Sequence, residues 1–391
     1  MSKETSAVTE SAVVHGTVAE GFEAVRAEFE AFVAAEPTDP GAQLAAYQDG
    51  RLVVDLWAGD VDGNSLTGVF SVTKGAAHLV VALLVEEGVL DLDRRVADYW
   101  PEFAAWGKGA VTLRELISHR SGVIGADDGF SYEELADDRV VAERLAGQRP
   151  FWQPGTGHGY HALAIGALTG EVVRRVTAAS IQEIYEKRVR APYGLDLFLG
   201  LPQAQQHRYR EVLPMMPTAE QQAALAESPR VGRYNRLPIA FNTSADPSFD
   251  LVRFVNSPAS LAKSPASVGA VGNARGIAGM YAATLGGFDG RGPVLKPDTV
   301  SEFARIHSVG TDLVVGNPTA FGLGFEALSV KYPALGADTF GHSGAAGALA
   351  FGDLRSGLAY GYTRRRFAFP GGAAPENERL SRAVYQAATA R

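Results

Sequence analysis

Apolar side chains recur at helical spacing over residues 18–32, among glutamates and arginines. This pattern predicts an amphipathic helix that ends before Pro37. The polar, acidic stretch over residues 1–17 is predicted to be a disordered lead-in. Because that stretch lacks the positive and apolar regions of a secretory signal, we expect a cytoplasmic protein.

Short apolar runs predict strands near both ends of the chain. The runs at 44–47 and 52–57 flank Asp49-Gly50, and an Asp-Gly between two such runs predicts a β-hairpin. Further strand-like runs lie at 321–326, 348–351 and 357–362, before a final helical stretch at 377–390. The sheet is therefore expected to draw strands from both ends of the chain.

Helical patterns dominate the middle of the chain, from residue 75 to residue 300. Within it, the proline-bearing stretch 200–270 predicts long surface loops that could roof a site. We predict an α+β fold with a mainly helical domain over 71–304, inserted into a sheet domain formed by 18–70 and 305–391.

Composition excludes several classes of partner and chemistry. The chain has 391 residues, of which 46% are hydrophobic and 20% charged, as in ordinary soluble globular proteins. Its net charge of −8 argues against nucleic acid or an anionic membrane as a partner. The absence of cysteine excludes thiolate catalysis and disulfides, and no metal-binding or phosphate-binding motif is present. A small-molecule partner without a cofactor is expected; the oligomeric state, including a homo-oligomer, stays open.

The segment Ser71-Val72-Thr73-Lys74 precedes a proline-free apolar run over 75–85 that predicts a buried helix. A serine at the start of a helix lies near unpaired N–H groups, and a lysine three residues on lies on the same face. Burial would favour neutral Lys74, which can take a proton from Ser71. Ser71 is a candidate nucleophile and Lys74 its activator; the alternative is a helix cap beside a solvated lysine.

The same spacing occurs again at Ser260 and Lys263. Pro258 and Pro265 bracket this second copy, and no apolar helix follows it. It is predicted to be a surface loop without a catalytic role.

Two glycine-rich segments supply further candidate groups. Residues 152–160 predict a turn that delivers Tyr160 to the start of a helix, where a positive neighbour can lower the pKa of its hydroxyl and make it a general base or proton shuttle. Glycines within 340–347 let backbone N–H groups approach a developing oxyanion. The alternatives are a core tyrosine and a strand with a glycine bulge.

These three segments resemble the signature elements of the serine β-lactamase and penicillin-binding-protein superfamily: Ser-x-x-Lys, a Tyr-x-x element, and Lys/His-x-Gly on a sheet strand. The resemblance is closest to the esterase branch, the family VIII carboxylesterases, which are similar to class C β-lactamases. Residues 113–122, 152–155 and 321–325 also resemble this family, in the family's order. The resemblance implies a β-lactamase-like fold and hydrolysis of small carboxylic esters.

Carried over by position, the resemblance implies that Ser71 is the nucleophile, Lys74 its activator and Tyr160 the base and later the acid. It also implies an oxyanion hole at the backbone N–H groups of Ser71 and Ala345. Further residues are candidates for substrate binding: His342, Ser343 and Gly344 by the resemblance, and Phe130, Tyr132 and Trp152 as pocket-lining aromatics, for which core packing is the alternative.

Two departures from the family pattern bear on the substrate. Tyr160 is followed by His161-Ala162, where class C enzymes have an asparagine two residues on. His342 replaces the lysine that meets the substrate carboxylate, and histidine is largely neutral at about pH 7 on its unperturbed pKa. Both changes remove groups that recognise a β-lactam, so esters are the expected substrates.

Other functions remain open at this stage. Amide or β-lactam hydrolysis and acyl transfer to an alcohol would share the nucleophile and differ in the pocket. An α/β-hydrolase using Ser343 is a second alternative, although Ala345 breaks the Gly-x-Ser-x-Gly pattern and no histidine follows Ser343. The third is a non-catalytic ligand binder on the same fold.

Overall fold

The computed structural model describes residues 13–36, 38–227, 235–244 and 248–390. Most of the predicted lead-in, residues 1–12, lies outside these ranges. Residues 14–18, however, form a strand that pairs antiparallel with residues 54–58. The prediction of a lead-in is therefore wrong for residues 14–17, because the alternation there supports an edge strand.

The described residues form two antiparallel sheets. The strands are β1 Val14–Val18, β2 Ala42–Gln48, β3 Arg51–Ala58, β4 Thr67–Gly68, β5 Leu197–Phe198, β6 Val271–Gly272, β7 Ser308–Thr311, β8 Pro318–Phe321, β9 Glu326–Ala327, β10 Thr339–Ser343, β11 Leu349–Asp353 and β12 Leu358–Arg364. The large sheet has the order β1-β3-β2-β12-β11-β10-β9-β8-β7, and β4-β6-β5 form a small second sheet. The large sheet draws strands from both ends of the chain, as predicted.

Helices flank the large sheet and fill the middle of the chain. They are α1 Glu23–Ala35, α2 Thr73–Glu86, α3 Val96–Tyr99, α4 Leu113–Ile117, α5 Tyr132–Leu135, α6 Asp138–Ala146, α7 Ile165–Thr177, α8 Ile181–Tyr185, α9 Ala191–Tyr193, α10 Ala219–Glu227, α11 Leu237–Ala240, α12 Leu251–Val255, α13 Pro258–Lys263, α14 Ala274–Leu285, α15 Pro297–Ala304, α16 Leu328–Lys331 and α17 Glu376–Thr389. Short helices α10 to α13 occupy much of the stretch predicted as irregular loops. The predicted α+β class is confirmed, whereas the domain boundaries at 71 and 305 stay a prediction.

The large sheet is covered on both faces because its side chains alternate between two cores. In β2, Leu44 and Ala46 pack in the core shared with α1 and α17, whereas Ala45 and Tyr47 pack in the core shared with α14. Gly361 of β12 allows α14 to approach closely, since an added Cβ would lie 2.5 Å from the Ala274 carbonyl oxygen. The sheet is thus the middle layer of the fold.

The predicted hairpin is confirmed at the turn between β2 and β3. Asp49 and Gly50 have φ angles of +49° and +74°. Positive φ at both central residues is the geometry of the type I′ turn, which matches the twist of the two strands. Asp and Gly adopt positive φ angles with little strain, so an Asp-Gly pair between two strands is a reliable signal of this turn.

Helix α2 runs through the larger core and positions the candidate nucleophile at its start. Every side chain from Thr73 to Leu84 is buried. A helix that is apolar all round packs on all sides, as the sequence predicted. In the described part of the chain, no helix combines the length and apolar character needed to cross a membrane.

Candidate active site

Ser71 lies in a short 3₁₀ turn, Phe70–Val72, immediately before α2. Phe70 has a φ of +51°, which is uncommon for a residue with a Cβ. Packing holds this strained backbone in place: Phe70 is fully buried, and its ring contacts Phe367 edge-on at 5.8 Å between centroids. The strained turn presents Ser71 at the edge of the core with its side chain only partly buried.

The three residues predicted to carry the chemistry meet at one oxygen. Lys74 Nζ lies 3.0 Å from Ser71 Oγ, one turn along the chain. The Tyr160 hydroxyl donates to the same Oγ at 2.8 Å. Ser71 Oγ therefore has a nitrogen that can accept its proton and a hydroxyl that can donate one.

Lys74 is fully buried, and its surroundings favour the neutral amine. Burial lowers the pKa of Lys74 to about 7, partly opposed by the charge of Glu326. Its Nζ also donates to the carbonyl oxygens of Ala162 and Ser267, at 2.7 and 2.8 Å. A neutral amine that donates its two hydrogens to these carbonyls directs its lone pair at Ser71 Oγ. The site thus holds Lys74 in the geometry of a general base.

Tyr160 is fixed by its backbone and by its ring. Its N–H donates to the carboxylate of buried Asp312, whose oxygens lie 3.1 and 3.2 Å away. Its ring stacks parallel on Phe321, with 6.0 Å between centroids. Burial, then the charge of Glu326, raises the pKa of Tyr160. The expectation of a lowered pKa is therefore wrong, and the resting Tyr160 is a neutral phenol that donates.

The predicted oxyanion groups belong to segments that lie side by side. Gly344 approaches the segment before Ser71, since an added Cβ there would lie 2.5 Å from the Val69 carbonyl oxygen. The turn that contains Ala345 therefore adjoins the turn that contains Ser71. Among the residues that the structure describes, the N–H groups of Ser71 and Ala345 have no hydrogen-bond acceptor. Their assignment as the oxyanion hole stays a prediction.

His342 does not offer the cation that a substrate carboxylate would need. Its side chain is fully buried, and burial lowers its pKa to about 4. Its Nδ1 lies 2.8 Å from the Ser343 carbonyl oxygen, which can only accept, so Nδ1 carries the proton of a neutral ring. The neutral ring offers no positive charge to a substrate carboxylate, and contact between His342 and substrate stays a prediction.

Ser343 has a different partner from the one a nucleophile elbow requires. Its Oγ donates to the carboxylate of Glu326 at 2.8 Å, and it lies in strand β10 of an antiparallel sheet. The elbow of an α/β-hydrolase joins a strand to a helix in a mostly parallel sheet. The α/β-hydrolase alternative is therefore wrong.

The three predicted pocket aromatics contact different parts of the protein. The ring of Trp152 is edge-on to the ring of His161, the residue after Tyr160, with 5.9 Å between ring centroids. Phe130 is instead tied through its backbone to Asn242, and the hydroxyl of Tyr132 accepts from the Asp250 N–H at 2.9 Å. These hydrogen bonds connect Phe130 and Tyr132 to the stretch 200–270, and the role of all three aromatics as pocket-lining residues stays a prediction.

Several residues at the site had no assigned role in the sequence. Three histidines, His78, His119 and His161, are fully buried with His342 around Lys74 and Tyr160, and burial lowers the pKa of each. Phe241 lies 6.3 Å from the Tyr160 ring, so the stretch 200–270 does reach the site. In the described part of the chain, no cluster of three or more potential ligands could hold a metal ion.

The second Ser-x-x-Lys copy lies in different surroundings. It lies in α13 rather than in the predicted loop, because Pro258 occupies the first turn of the helix, where a missing N–H costs nothing. Ser260 is fully buried, and Lys263 is exposed and paired with Asp137 at 2.7 Å. The spacing alone therefore does not bring the serine and lysine together.

Comparisons with known proteins identify the family of this chain and several relatives. A family model described as Beta-lactamase matches residues 29–384. The chain is 30% identical over 342 residues to the esterase/beta-lactamase LipL of Mycobacterium tuberculosis, which covers 84% of this chain and 78% of that protein. It is 36% identical to the structure of EstA from Arthrobacter nitroguajacolicus Rue61a, with a TM-score of 0.87 over 95% of this chain and 98% of EstA. A family VIII carboxylesterase structure matches with 32% identity and a TM-score of 0.85, over 96% of this chain and all of that chain.

Proposed function

Since this chain belongs to the beta-lactamase family, and proteins similar to it along most of its length are named as esterases, we propose that it is a serine carboxylesterase. It hydrolyses small-molecule carboxylic esters through an acyl-enzyme on Ser71. The observation that carries the proposal is the convergence of Lys74 Nζ and the Tyr160 hydroxyl on Ser71 Oγ, at 3.0 and 2.8 Å. These groups supply nucleophile, base and acid at one point.

Acylation begins with neutral Lys74. It takes the proton of Ser71 Oγ as that oxygen attacks the ester carbonyl carbon, and the carbonyl oxygen becomes an oxyanion. The N–H groups of Ser71 and Ala345 stabilise this charge. Collapse of the intermediate releases the alkoxide, which takes the proton of the Tyr160 hydroxyl, and the tyrosinate recovers a proton from the Lys74 ammonium.

Deacylation repeats the sequence with water. Neutral Lys74, with Tyr160 as the relay, takes a proton from the water that attacks the acyl carbonyl carbon. The bond from that carbon to Ser71 Oγ then breaks, the Lys74 ammonium returns the proton to Ser71 Oγ, and the carboxylic acid is released. The net reaction consumes one water and leaves the enzyme in its starting protonation state. The neutral, buried His342 supplies no counter-ion for a substrate carboxylate. This favours simple esters over β-lactams.

The rate should follow the neutral fraction of Lys74. Because burial lowers the pKa of Lys74 to about 7 and only the amine can accept a proton, kcat/KM should rise with pH and level off above about pH 8. Below the pKa it should fall about tenfold per pH unit. Hydrolysis of p-nitrophenyl butyrate, read at the isosbestic wavelength of nitrophenol, measures this profile. A rate that is constant or increases towards low pH would contradict the role of Lys74.

Tyr160→Phe should lower kcat by about 10²- to 10⁴-fold, because the variant keeps the ring on Phe321 and loses the proton donor. Tyr193→Phe is a matched control: its hydroxyl donates to the Gly292 carbonyl, outside the site, at 2.7 Å. Steady-state kinetics of both variants give the comparison. Equal activity of the two variants would remove Tyr160 from the mechanism.

A further inference from the structure

Glu326 places a carboxylate at the edge of the proposed reaction site. It lies on β9, opposite Gly341 of β10, and its oxygens accept from Ser343 Oγ at 2.8 and 3.0 Å and from the Ser343 N–H at 3.3 Å. Its side chain is 19% exposed, so it is held by the protein and still partly accessible to solvent. The charge of Glu326 reaches the reacting groups, since it raises the pKa of both Lys74 and Tyr160.

No cation neutralises this carboxylate at the site. Among the described residues, the one basic side chain within ion-pair distance of Glu326 is His342, whose Nδ1 is 3.4 Å away. His342 is buried with its pKa lowered to about 4, so its ring is neutral under ordinary conditions. Lys74 is largely an uncharged amine above its pKa of about 7. The negative charge of Glu326 therefore has no charged ion-pair partner among the described residues, and Ser343, which donates to it, lies two residues before Ala345 of the predicted oxyanion hole.

Glu326 also lines a cavity formed by β8, β9 and α16. The cavity has a volume of about 290 Å³, and its wall includes Phe321, whose ring stacks on Tyr160. Leu328 and Val330 give it an apolar side. Lys331 lies on the rim, exposed to solvent, where its charge is screened. Ser71, Lys74 and Tyr160 are not among its lining residues, so the cavity adjoins the site through Phe321 and Glu326.

We propose that Glu326 determines the charge preference of this site: it disfavours esters with a negative group near the scissile bond and favours esters with a neutral or cationic group. This inference rests on the proposed esterase function and names its substrate class. The reason is electrostatic, because a like charge a few ångströms away in a partly desolvated site is repelled and an opposite charge is attracted.

Three p-nitrophenyl esters of equal shape test the proposal. They share a four-carbon acyl chain that ends in a trimethylammonium, a tert-butyl or a sulfonate group. At about pH 8.5, where Lys74 is mainly neutral, wild-type kcat/KM should be highest for the cation and lowest for the anion, with a span of about tenfold. Glu326→Gln keeps the size and polarity of the side chain and should reduce the span to about twofold.

Glu378→Gln is the matched control. Glu378 is exposed on α17 and paired with Arg382, so this variant removes the same charge from the protein away from the site. It should keep the wild-type span, which separates the effect of Glu326 from that of net charge. A salt titration of the wild-type protein is an independent test. Added salt should screen the charge of Glu326 and so reduce the difference in kcat/KM between the cationic and anionic esters.

The possible failures are distinguishable. If the neutral ester is hydrolysed and the three rates are equal, or the anion is preferred, the charge inference is wrong and the esterase function stands. An unchanged span in Glu326→Gln also overturns the inference. If none of the three esters is hydrolysed, the proposed function itself is refuted, and the inference with it.

Discussion

Ser71→Ala should lower kcat for p-nitrophenyl butyrate by about 10⁴-fold or more, because it removes the oxygen on which Lys74 and Tyr160 converge and on which the acyl-enzyme would form. The substitution removes one partly buried oxygen and leaves Lys74 Nζ bonded to two carbonyl oxygens. The fold should therefore be preserved, and the melting temperature of the variant should stay close to that of the wild type. Steady-state kinetics and a thermal melt on the same preparation measure both effects.

Ser260→Ala is the natural control for this variant. Ser260 occupies the same Ser-x-x-Lys spacing, is fully buried, and lies in α13 beside an exposed lysine. Its replacement should leave kcat within about twofold of wild type, because the buried Ser260 Oγ has no hydrogen-bond partner among the described residues and alanine removes only that atom. A Ser71→Ala protein that retains a tenth or more of wild-type activity would remove Ser71 from the mechanism.

Lys74→Met should lower kcat by about 10³-fold and remove the acidic limb of the pH profile. Methionine fills a similar unbranched volume but cannot accept a proton. The two carbonyl oxygens of Ala162 and Ser267 lose their donor, which costs about 1–3 kcal/mol each. The variant also avoids the cost of burying an amine, and this offsets part of the loss in stability. The pH dependence therefore separates the chemical role of Lys74 from its contribution to stability.

Lys263→Met provides the comparison for this second prediction. Lys263 is exposed and paired with Asp137, and such surface ion pairs contribute about 0–1 kcal/mol. Activity and its pH profile should match the wild type. If Lys74→Met kept an acidic limb with an apparent pKa near 7, another group would have to be the base.

Local signals predicted much of the fold. The Asp49-Gly50 turn and the helical spacing that predicted α1 require only neighbours in sequence. The turn is confirmed, and α1 ends before Pro37 as predicted, but it begins at Glu23 because Val18 belongs to β1. Tertiary context decided the exceptions. Residues 14–18 form a strand because β3 offers them a partner, and Pro258 begins a helix rather than ending one.

The site was predictable as far as residue type carries information. A serine, a lysine and a tyrosine are recognisable in sequence, and the structure brings these three together. The carbonyl oxygens of Ala162 and Ser267 are backbone groups that any residue could supply, so no signal marks them. The hydrogen bonds of these two carbonyl oxygens with Lys74 Nζ can be recognised only in the folded structure.

Asp312 and Glu326 were missed for a related reason. Asp312 lies 152 residues along the chain from Tyr160 and accepts a hydrogen bond from its N–H. Glu326 lies 17 residues from Ser343, and the pairing of β9 with β10 brings the two together. Single carboxylates are common, and sequence separation hides which of them face a site. Burial likewise decided the pKa of Tyr160, which rises although a lysine lies close to its ring.

The most direct test of the account is to incubate the protein with a fluorophosphonate, measure its intact mass, and map the modified peptide. The account predicts a single adduct on Ser71, absent from Ser71→Ala and retained by Ser260→Ala. An adduct on Ser343 or Ser260, or no adduct at all, would contradict the claim that Ser71 is the activated nucleophile.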